Sequence, residues 1–365
     1  MTPQVIDVGS IRMEAAAMAI MVPRSDDSAW FDGYEPHSDG DGDAGIRVYV
    51  ERSIELLARG EVVAALRMAE KAETLARRAT CPTHLRAGAL CQLGACQYKV
   101  ARLSTAVANL SCALDIAEQD EPRDERLCAE ILEWRSRCYR HQRDFAAAAV
   151  DCERGLAFAR VSGDSLQQAH LHFQAALVSE RCGDLDVARA HAELALERYA
   201  QAGDQLNKGR TLNNLGAFLF LAGEREQAEL RLAEAQATLS AIGHETEFGQ
   251  ALASVAQIKQ RSGRPEEALA DVERAMGLLG DRADFLDEIG FGHLVRGEAL
   301  MDLSRFAEAG AAFDEAEALF VRCGSVGHQA RVWFAMGDLS LRRGDPLGAV
   351  PHYRRAALAT QDVHF

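Results

Sequence analysis

The stretch TLNNLGAFLFLAGEREQAELRLAEAQATL, residues 211 to 239, decides the fold of this chain. It contains one helix-like run, a turn at Gly223 and then a second helix-like run. Ala228 opens the second run, and Ala235 follows seven residues later on the same helical face. Gly216 stands inside the first run, where glycine costs about 1 kcal/mol relative to alanine. Its position therefore indicates a close contact between two helices.

Small residues recur along the chain at the spacing of this stretch. The alanine that opens each second run, here called the marker alanine, returns every 40 to 42 residues, at Ala65, Ala106, Ala148, Ala188, Ala228, Ala268, Ala309 and Ala349. The residues seven positions later and twelve positions earlier are Ala, Gly or Ser in every repeat. The pattern predicts an all-α array of eight helix pairs, from about residue 46 to the C-terminus.

The packing residues resemble those of the tetratricopeptide repeat family. The family signature is matched by Leu212-x-x-Leu215-Gly216, Trp333-x-x-Met336-Gly337, Ala309-x-x-x-Phe313 and Ala349-x-x-x-Tyr353. The repeats exceed the usual length of about 34 residues, as in kinesin light chains and bacterial peptide-sensing regulators. HEAT and armadillo repeats also have periods near 40, but the small residues and the Gly-Asp turns favour the tetratricopeptide arrangement. The resemblance implies a right-handed solenoid whose first helices line a concave groove.

Two registers of first-helix residues are predicted to face that groove, fourteen and seven positions before the marker alanines. The candidate residues for binding a peptide or a partner protein, taken from these registers and from neighbouring positions, are Gln92, Trp134, Arg137, Gln174, Arg181, Arg210, Asn213, Asn214, Gln257 and Arg261. Amide side chains can donate to and accept from an extended peptide backbone, and the resemblance implies this role for Asn214. Solvation of the polar groups and local ion pairs of the basic groups remain the alternatives.

Residues 1 to 45 are predicted to form a disordered acidic leader ahead of a repeat domain over residues 46 to 365. Between residues 26 and 43, seven acidic residues surround three aromatic ones, Trp30, Phe31 and Tyr34. Aromatic anchors and acidic steering suit a segment that docks, as a removable plug, into its own groove or a partner's. A leader with no docking role is the alternative.

Composition and motifs argue against several classes of function. The net charge of −15 argues against direct nucleic-acid binding, and no apolar run has the length of a membrane span. Nine cysteines without a C-x-x-C pair favour a reduced, cytoplasmic protein. His170 and His172 would face different ways on a helix, so no metal site is predicted. No cofactor and no enzymatic activity are predicted, because phosphate-binding and catalytic motifs are missing.

The function predicted from these features is a non-catalytic regulatory scaffold or adaptor that holds an extended peptide or protein segment. Two alternatives stay open: a sensor of a small signalling peptide whose superhelix and partner interface change on binding, and an accessory subunit or chaperone of an enzyme complex. A homodimer through Ala356, Ala357 and Leu358 also stays open, because no capping helix follows these residues. The abundance of alanine and glycine, with four lysines, favours a bacterial genome.

Overall fold

The computed structural model describes residues 42 to 361, apart from residue 79 and residues 281 to 284. Within those ranges all regular structure is helical, and sixteen helices follow one another in pairs. They separate into two compact units, of which the first ends at Ala202 and the second begins at Gly203. The all-α fold predicted from the 40-residue period is confirmed.

The N-terminal unit contains four helix pairs. Its helices are α1 Asp43–Ala58, α2 Val62–Ala76, α3 Thr83–Lys99, α4 Leu103–Gln119, α5 Glu125–His141, α6 Phe145–Val161, α7 Ser165–Arg181 and α8 Leu185–Ala202. Each odd-numbered helix, here called a first helix, packs along the even-numbered helix that follows it and against the neighbouring first helices of its unit. The first helices therefore form one continuous layer.

The C-terminal unit repeats this arrangement with four further pairs. Its helices are α9 Gln205–Leu221, α10 Arg225–Ala241, α11 Glu245–Arg261, α12 Pro265–Leu279, α13 Leu286–Asp302, α14 Phe306–Cys323, α15 Val326–Arg342 and α16 Pro346–Gln361. The layer of first helices here consists of α9, α11, α13 and α15.

The small residues lie where the two helices of a pair come closest. Each marker alanine is at most 1% exposed. A Cβ atom added to Gly216 would stand 2.6 Å from the Leu232 Cγ atom and 3.2 Å from the Ala228 carbonyl oxygen. This close approach is the packing reason for a mid-helix glycine, which the sequence predicted.

The turns within the pairs share one left-handed residue. Glycine supplies it in five pairs, with φ between 74° and 84°. In the other three pairs Ala101, Arg143 and Ser304 adopt the same conformation, with φ of 58°, 66° and 58°. The turn geometry is therefore kept even where the sequence lacks a glycine.

A buried ion pair ties three helices of the N-terminal unit together. The Arg135 Nε and Nη2 atoms donate to the Asp151 carboxylate at 2.8 and 2.7 Å, and Arg135 Nη1 donates to Ser111 Oγ at 3.0 Å. The Asp151 side chain is 3% exposed. This fork joins α5 to α6 and α4 inside the protein.

The first described helix begins at Asp43, so the predicted boundary at residue 46 falls inside its first turn. Trp30, Phe31 and Tyr34 lie outside the described residues, and the docking of the leader stays a prediction. In the described part of the chain, no helix combines the length and the apolar character needed to cross a membrane.

Candidate functional site

Two of the predicted amide residues are engaged with neighbouring groups in the layer of first helices. Gln92 is 6% exposed, and its Nε2 atom donates to Ser53 Oγ at 3.0 Å, which links α3 to α1. Asn214 is 7% exposed and donates to the Arg210 carbonyl oxygen, one turn earlier, at 2.9 Å. Arg210 in turn forms an ion pair with Glu247 of α11. Peptide binding by these residues stays a prediction.

Three other predicted amides are buried with polar atoms that lack a partner. Among the described residues, no hydrogen bond reaches Gln174 Oε1, Asn213 Oδ1 or either side-chain polar atom of Gln257. Such atoms cost free energy unless water or a ligand satisfies them. The three amides therefore remain candidate binding residues, and what they bind stays a prediction.

Trp134 and Arg137 come together on α5, as the prediction places them on one helix. The Arg137 guanidinium lies 4.6 Å from the centre of the Trp134 ring, and the Tyr98 ring of α3 lies 5.8 Å from it. The Tyr98 hydroxyl lies 2.9 Å from His141 Nε2. Burial raises the pKa of Tyr98 to about 12. These residues form an aromatic and basic surface on the first helices of the N-terminal unit.

Glu133, which the sequence analysis missed, holds Arg137 in place. Its carboxylate pairs with Arg137, accepts from Gln167 Nε2 at 2.8 Å and lies 3.6 Å from His170 Nδ1. Burial by itself would raise the pKa of Glu133, but Arg137, His170 and Gln167 outweigh burial and lower it to about 2. The four-residue spacing of Glu133 and Arg137 could have revealed the pair, because such residues meet on a helix.

The Arg181 side chain is also largely buried in the layer of first helices. Its Nε atom lies 3.2 Å from Glu180 Oε2, and the Arg181 side chain is 12% exposed. Burial lowers the pKa of Arg181, although Glu180 opposes the effect. The predicted basic track therefore consists, at this point, of a charge that a neighbouring carboxylate compensates.

His170 and His172 face different partners, as their spacing predicts. His170 lies by Glu133, whereas His172 Nδ1 of α7 lies 2.9 Å from His191 Nδ1 of α8. Burial, followed by His191, Arg198 and Arg160, lowers the pKa of His172 to about 4. Burial and Arg160 also lower the pKa of His191. The pair is therefore neutral at pH 7.

We expect acid to destabilise the protein through this pair. Because the folded pKa of His172 is lowered, its contribution to stability is complete above pH 6.5 and is lost as the pH falls toward 4. In urea unfolding between pH 7 and 4.5, His172→Gln should lose less stability than the wild type. Leu194→Gln, at an exposed position of α8 that does not titrate, should follow the wild-type pH dependence. An unchanged pH dependence in His172→Gln would contradict this assignment.

The first helices α11, α13 and α15 line a cleft of about 410 Å³, here called the C-terminal cleft. Met301 and Phe334 supply its apolar walls. Its charged residues are three arginines and three carboxylates, namely Arg261, Arg331, Arg342, Glu298, Asp302 and Asp338. The side chains in the cleft therefore sum to no net charge.

Two of the carboxylates in the cleft are held by fixed partners. Asp302 accepts from Gln260 Nε2 at 2.8 Å and lies 3.0 Å from Arg342 Nη2. Asp338 accepts from the Tyr353 hydroxyl at 2.6 Å. These contacts fix the rim of the cleft before any ligand arrives.

Glu298 and Arg331 form the looser pair of the cleft. Arg331 Nη2 lies 3.7 Å from Glu298 Oε1, beyond hydrogen-bonding distance. Among the described residues, neither Arg331 Nη2 nor Glu298 Oε2 has a hydrogen-bond partner. Burial raises the pKa of Glu298 and lowers the pKa of Arg331, and each effect is partly offset by the other residue. Both charges are thus incompletely compensated.

Residues of both predicted registers line the C-terminal cleft. They are Arg261, Asp302 and Arg342, seven positions before their marker alanines, and Ala335, fourteen positions before the last one. Gln92 and Asn214, also fourteen positions before a marker alanine, form hydrogen bonds within the layer of first helices. Glu298 and Arg331 belong to neither register, and sequence reasoning did not single them out.

Neither a protein-family model nor a curated protein matches this sequence. Solved structures do match its fold. A Rap protein complexed with competence and sporulation factor has a TM-score of 0.61 at 13% identity, over 88% of this chain and 98% of its own. NprR in complex with its cognate peptide NprX has a TM-score of 0.61 at 10% identity, over 86% and 89%.

A third match is a signal transduction ATPase from Pyrococcus horikoshii that carries a tetratricopeptide repeat sensor. Its TM-score is 0.63 at 14% identity, over 87% of this chain and 47% of the ATPase chain. Identities this low demonstrate a shared fold and nothing more. The class that fold and comparisons define is a tetratricopeptide-like helical repeat protein.

Proposed function

We propose that this protein is a non-catalytic regulatory adaptor that binds an extended peptide or protein segment along its first helices. The observation that carries the proposal is the C-terminal cleft, which crosses three successive first helices and combines apolar walls with fixed polar groups. Concave sites of this composition are typical of ligand binding. Two of the structures with a similar fold contain a bound factor or a cognate peptide.

The geometry favours an extended segment over a compact small molecule. The cleft spans three successive first helices, so a chain laid across them meets residues from each helix in turn. Arg342 and Asp302 are already positioned by each other, and such preorganisation lowers the cost of ordering side chains on binding.

We also place this activity in the cytoplasm. All nine cysteines are unpaired, and five of them are buried. Burial raises the pKa of Cys138 and Cys152 to about 12, so both remain protonated thiols at neutral pH. Unpaired thiols suit a reducing compartment.

Selection of a random heptapeptide library on the full-length protein tests the proposal. We expect enriched peptides that bind the wild type, and a loss of about tenfold or more in affinity for Phe334→Ala, because truncating a central aromatic residue of a site is costly. The control variant Leu230→Ala, at an exposed position of α10, should bind as the wild type does. Fluorescence anisotropy with a labelled peptide measures all three affinities.

Two outcomes would contradict the proposal. Failure to enrich any peptide would remove peptide binding as the function. A loss of affinity in Trp134→Ala with none in Phe334→Ala would move the site to the N-terminal unit, where Trp134 stacks with Arg137.

A peptide sensor is the second candidate function. It is favoured by the similarity to a tetratricopeptide repeat sensor and to NprR bound to its cognate peptide. A sensor requires that the peptide change the affinity for a second protein, whereas an adaptor requires only that the segment be held.

The homodimer stays a prediction: Ala356 is buried in α16, and Leu358 is 54% exposed.

A further inference from the structure

We propose that the C-terminal cleft recognises a carboxamide, the side chain of Asn or Gln, in the segment that it binds. The inference rests on the proposed function and specifies the chemistry of the same site. The carboxamide NH₂ group would donate to Glu298, while its oxygen would accept from Arg331.

Two buried polar atoms in the cleft lack hydrogen-bond partners among the described residues. Glu298 Oε2 is an acceptor, Arg331 Nη2 is a donor, and both are buried without a hydrogen bond among the described residues. The side chains that carry them approach to 3.7 Å, so both atoms belong to one small region of the cleft. A group that donates from one atom and accepts at a nearby atom satisfies both, and the carboxamide offers this pattern with an NH₂ donor and a carbonyl acceptor on one carbon.

The charges around this region favour a neutral group in the ligand. Arg261, Arg331 and Arg342 balance Glu298, Asp302 and Asp338, so the cleft is neutral as a whole. A ligand carboxylate would pair with Arg331 but would be placed beside Glu298, and a ligand ammonium would meet the opposite conflict. Like charges brought together in a partly buried site cost free energy. A neutral dipolar group avoids that cost.

The apolar walls of the cleft suit the rest of an Asn or Gln side chain. Met301 and Phe334 line the same cleft as Glu298 and Arg331. They offer a surface to the methylene groups of an Asn or Gln side chain and to the flanking residues of an extended segment. The ring of Phe291, 5.7 Å from the Arg331 guanidinium, adds a favourable contact with that charge.

The test uses a heptapeptide enriched on the full-length protein and a cycle of substitutions in both molecules. In the peptide, each Asn or Gln is replaced in turn by Asp or Glu and by Leu or Met. In the protein, Arg331→Met and Glu298→Met remove the two groups. Arg322→Met and Glu315→Met, at exposed positions of α14, serve as matched controls. Affinities are measured by fluorescence anisotropy, and far-UV circular dichroism establishes that each variant is folded.

We expect one amide position in the peptide to matter. Replacing that amide should weaken binding to the wild type and the control variants by about tenfold or more, because it leaves the polar groups of Glu298 and Arg331 buried without hydrogen-bond partners. With Arg331→Met or Glu298→Met, the same replacement should change the affinity by less than about threefold. Such coupling would show that the amide contacts the pair of Glu298 and Arg331. A loss of affinity that does not depend on the amide would not show this contact.

The failure of this inference can be told from the failure of the proposed function. Peptides that bind, lose affinity in Phe334→Ala and tolerate replacement of every amide would overturn the carboxamide site and keep the peptide site. An enriched peptide without Asn or Gln whose binding needs an acidic or basic residue would overturn it in favour of a charged ligand. If no peptide is enriched, both the proposed function and the carboxamide site are wrong.

Discussion

Replacing Gly297 with leucine should lower the free energy of unfolding by about 3 kcal/mol, at the upper end of the usual cost of overpacking. Gly297 lies in α13, and a Cβ atom added there would stand 2.6 Å from the Phe313 Cδ1 atom of α14. Phe313 is completely buried, so its ring has no open space into which to move. The two helices must separate or the ring must leave its rotamer. Urea unfolding followed by circular dichroism measures the loss.

Two variants establish that the contact between the helices is the cause. Gly277→Ala should be neutral or stabilising by about 1 kcal/mol, because an added Cβ in α12 meets nothing within 4 Å and alanine favours the helix. Adding Phe313→Ala to Gly297→Leu should cost less than the sum of the two single losses. If the two losses add fully, the leucine does not clash with Phe313, and the packing proposed here is wrong.

Replacing Asp151 with leucine should cost about 3 to 5 kcal/mol of stability. The change removes the carboxylate that accepts two hydrogen bonds from Arg135 and leaves a largely buried guanidinium, 12% exposed, without its partner charge. Arg135 would still donate to Ser111, which cannot compensate the charge. Thermal and urea unfolding of the full chain measure the effect.

The matched variants separate the loss of an ion pair from the loss of a polar side chain. Glu153→Leu, at an exposed position of the same helix, should change stability by less than about 0.5 kcal/mol. Adding Arg135→Met to Asp151→Leu should restore most of the loss, because a buried pair can be replaced by apolar groups at little cost. A double variant as unstable as Asp151→Leu would show that Arg135 is not the source of the effect.

The fold could be predicted because its contacts repeat. Gly216 and the marker alanine Ala228 lie where two helices come close together, and the same need for small residues recurs in every pair. A constraint repeated eight times at one spacing is visible in a single sequence. The spacing of the marker alanines also places Ala101, Arg143 and Ser304 at the turn position that glycine takes in the other pairs, but their left-handed conformation is visible only in the structure.

The candidate site could be predicted only in part. The position of a residue in the repeat indicates which way its side chain faces, but not which groups the side chain contacts. Arg261 lies in the C-terminal cleft, which three first helices line. Arg137 is on the predicted surface, but Glu133 pairs with it. The loose pair of Glu298 and Arg331 joins the first helices of two neighbouring repeats. Contacts between repeats of this kind depend on side-chain geometry that a periodic pattern does not specify.

Hydrogen exchange of the full-length protein, with and without a saturating enriched heptapeptide, tests the central claim most directly. We expect slower exchange in the segments of α11, α13 and α15 that line the C-terminal cleft, at residues 260 to 261, 298 to 302 and 331 to 342. We expect little change in α10 and α14. Protection confined to α3, α5 and α7, or to the second helices of the pairs, would contradict the claim that this cleft is the binding site.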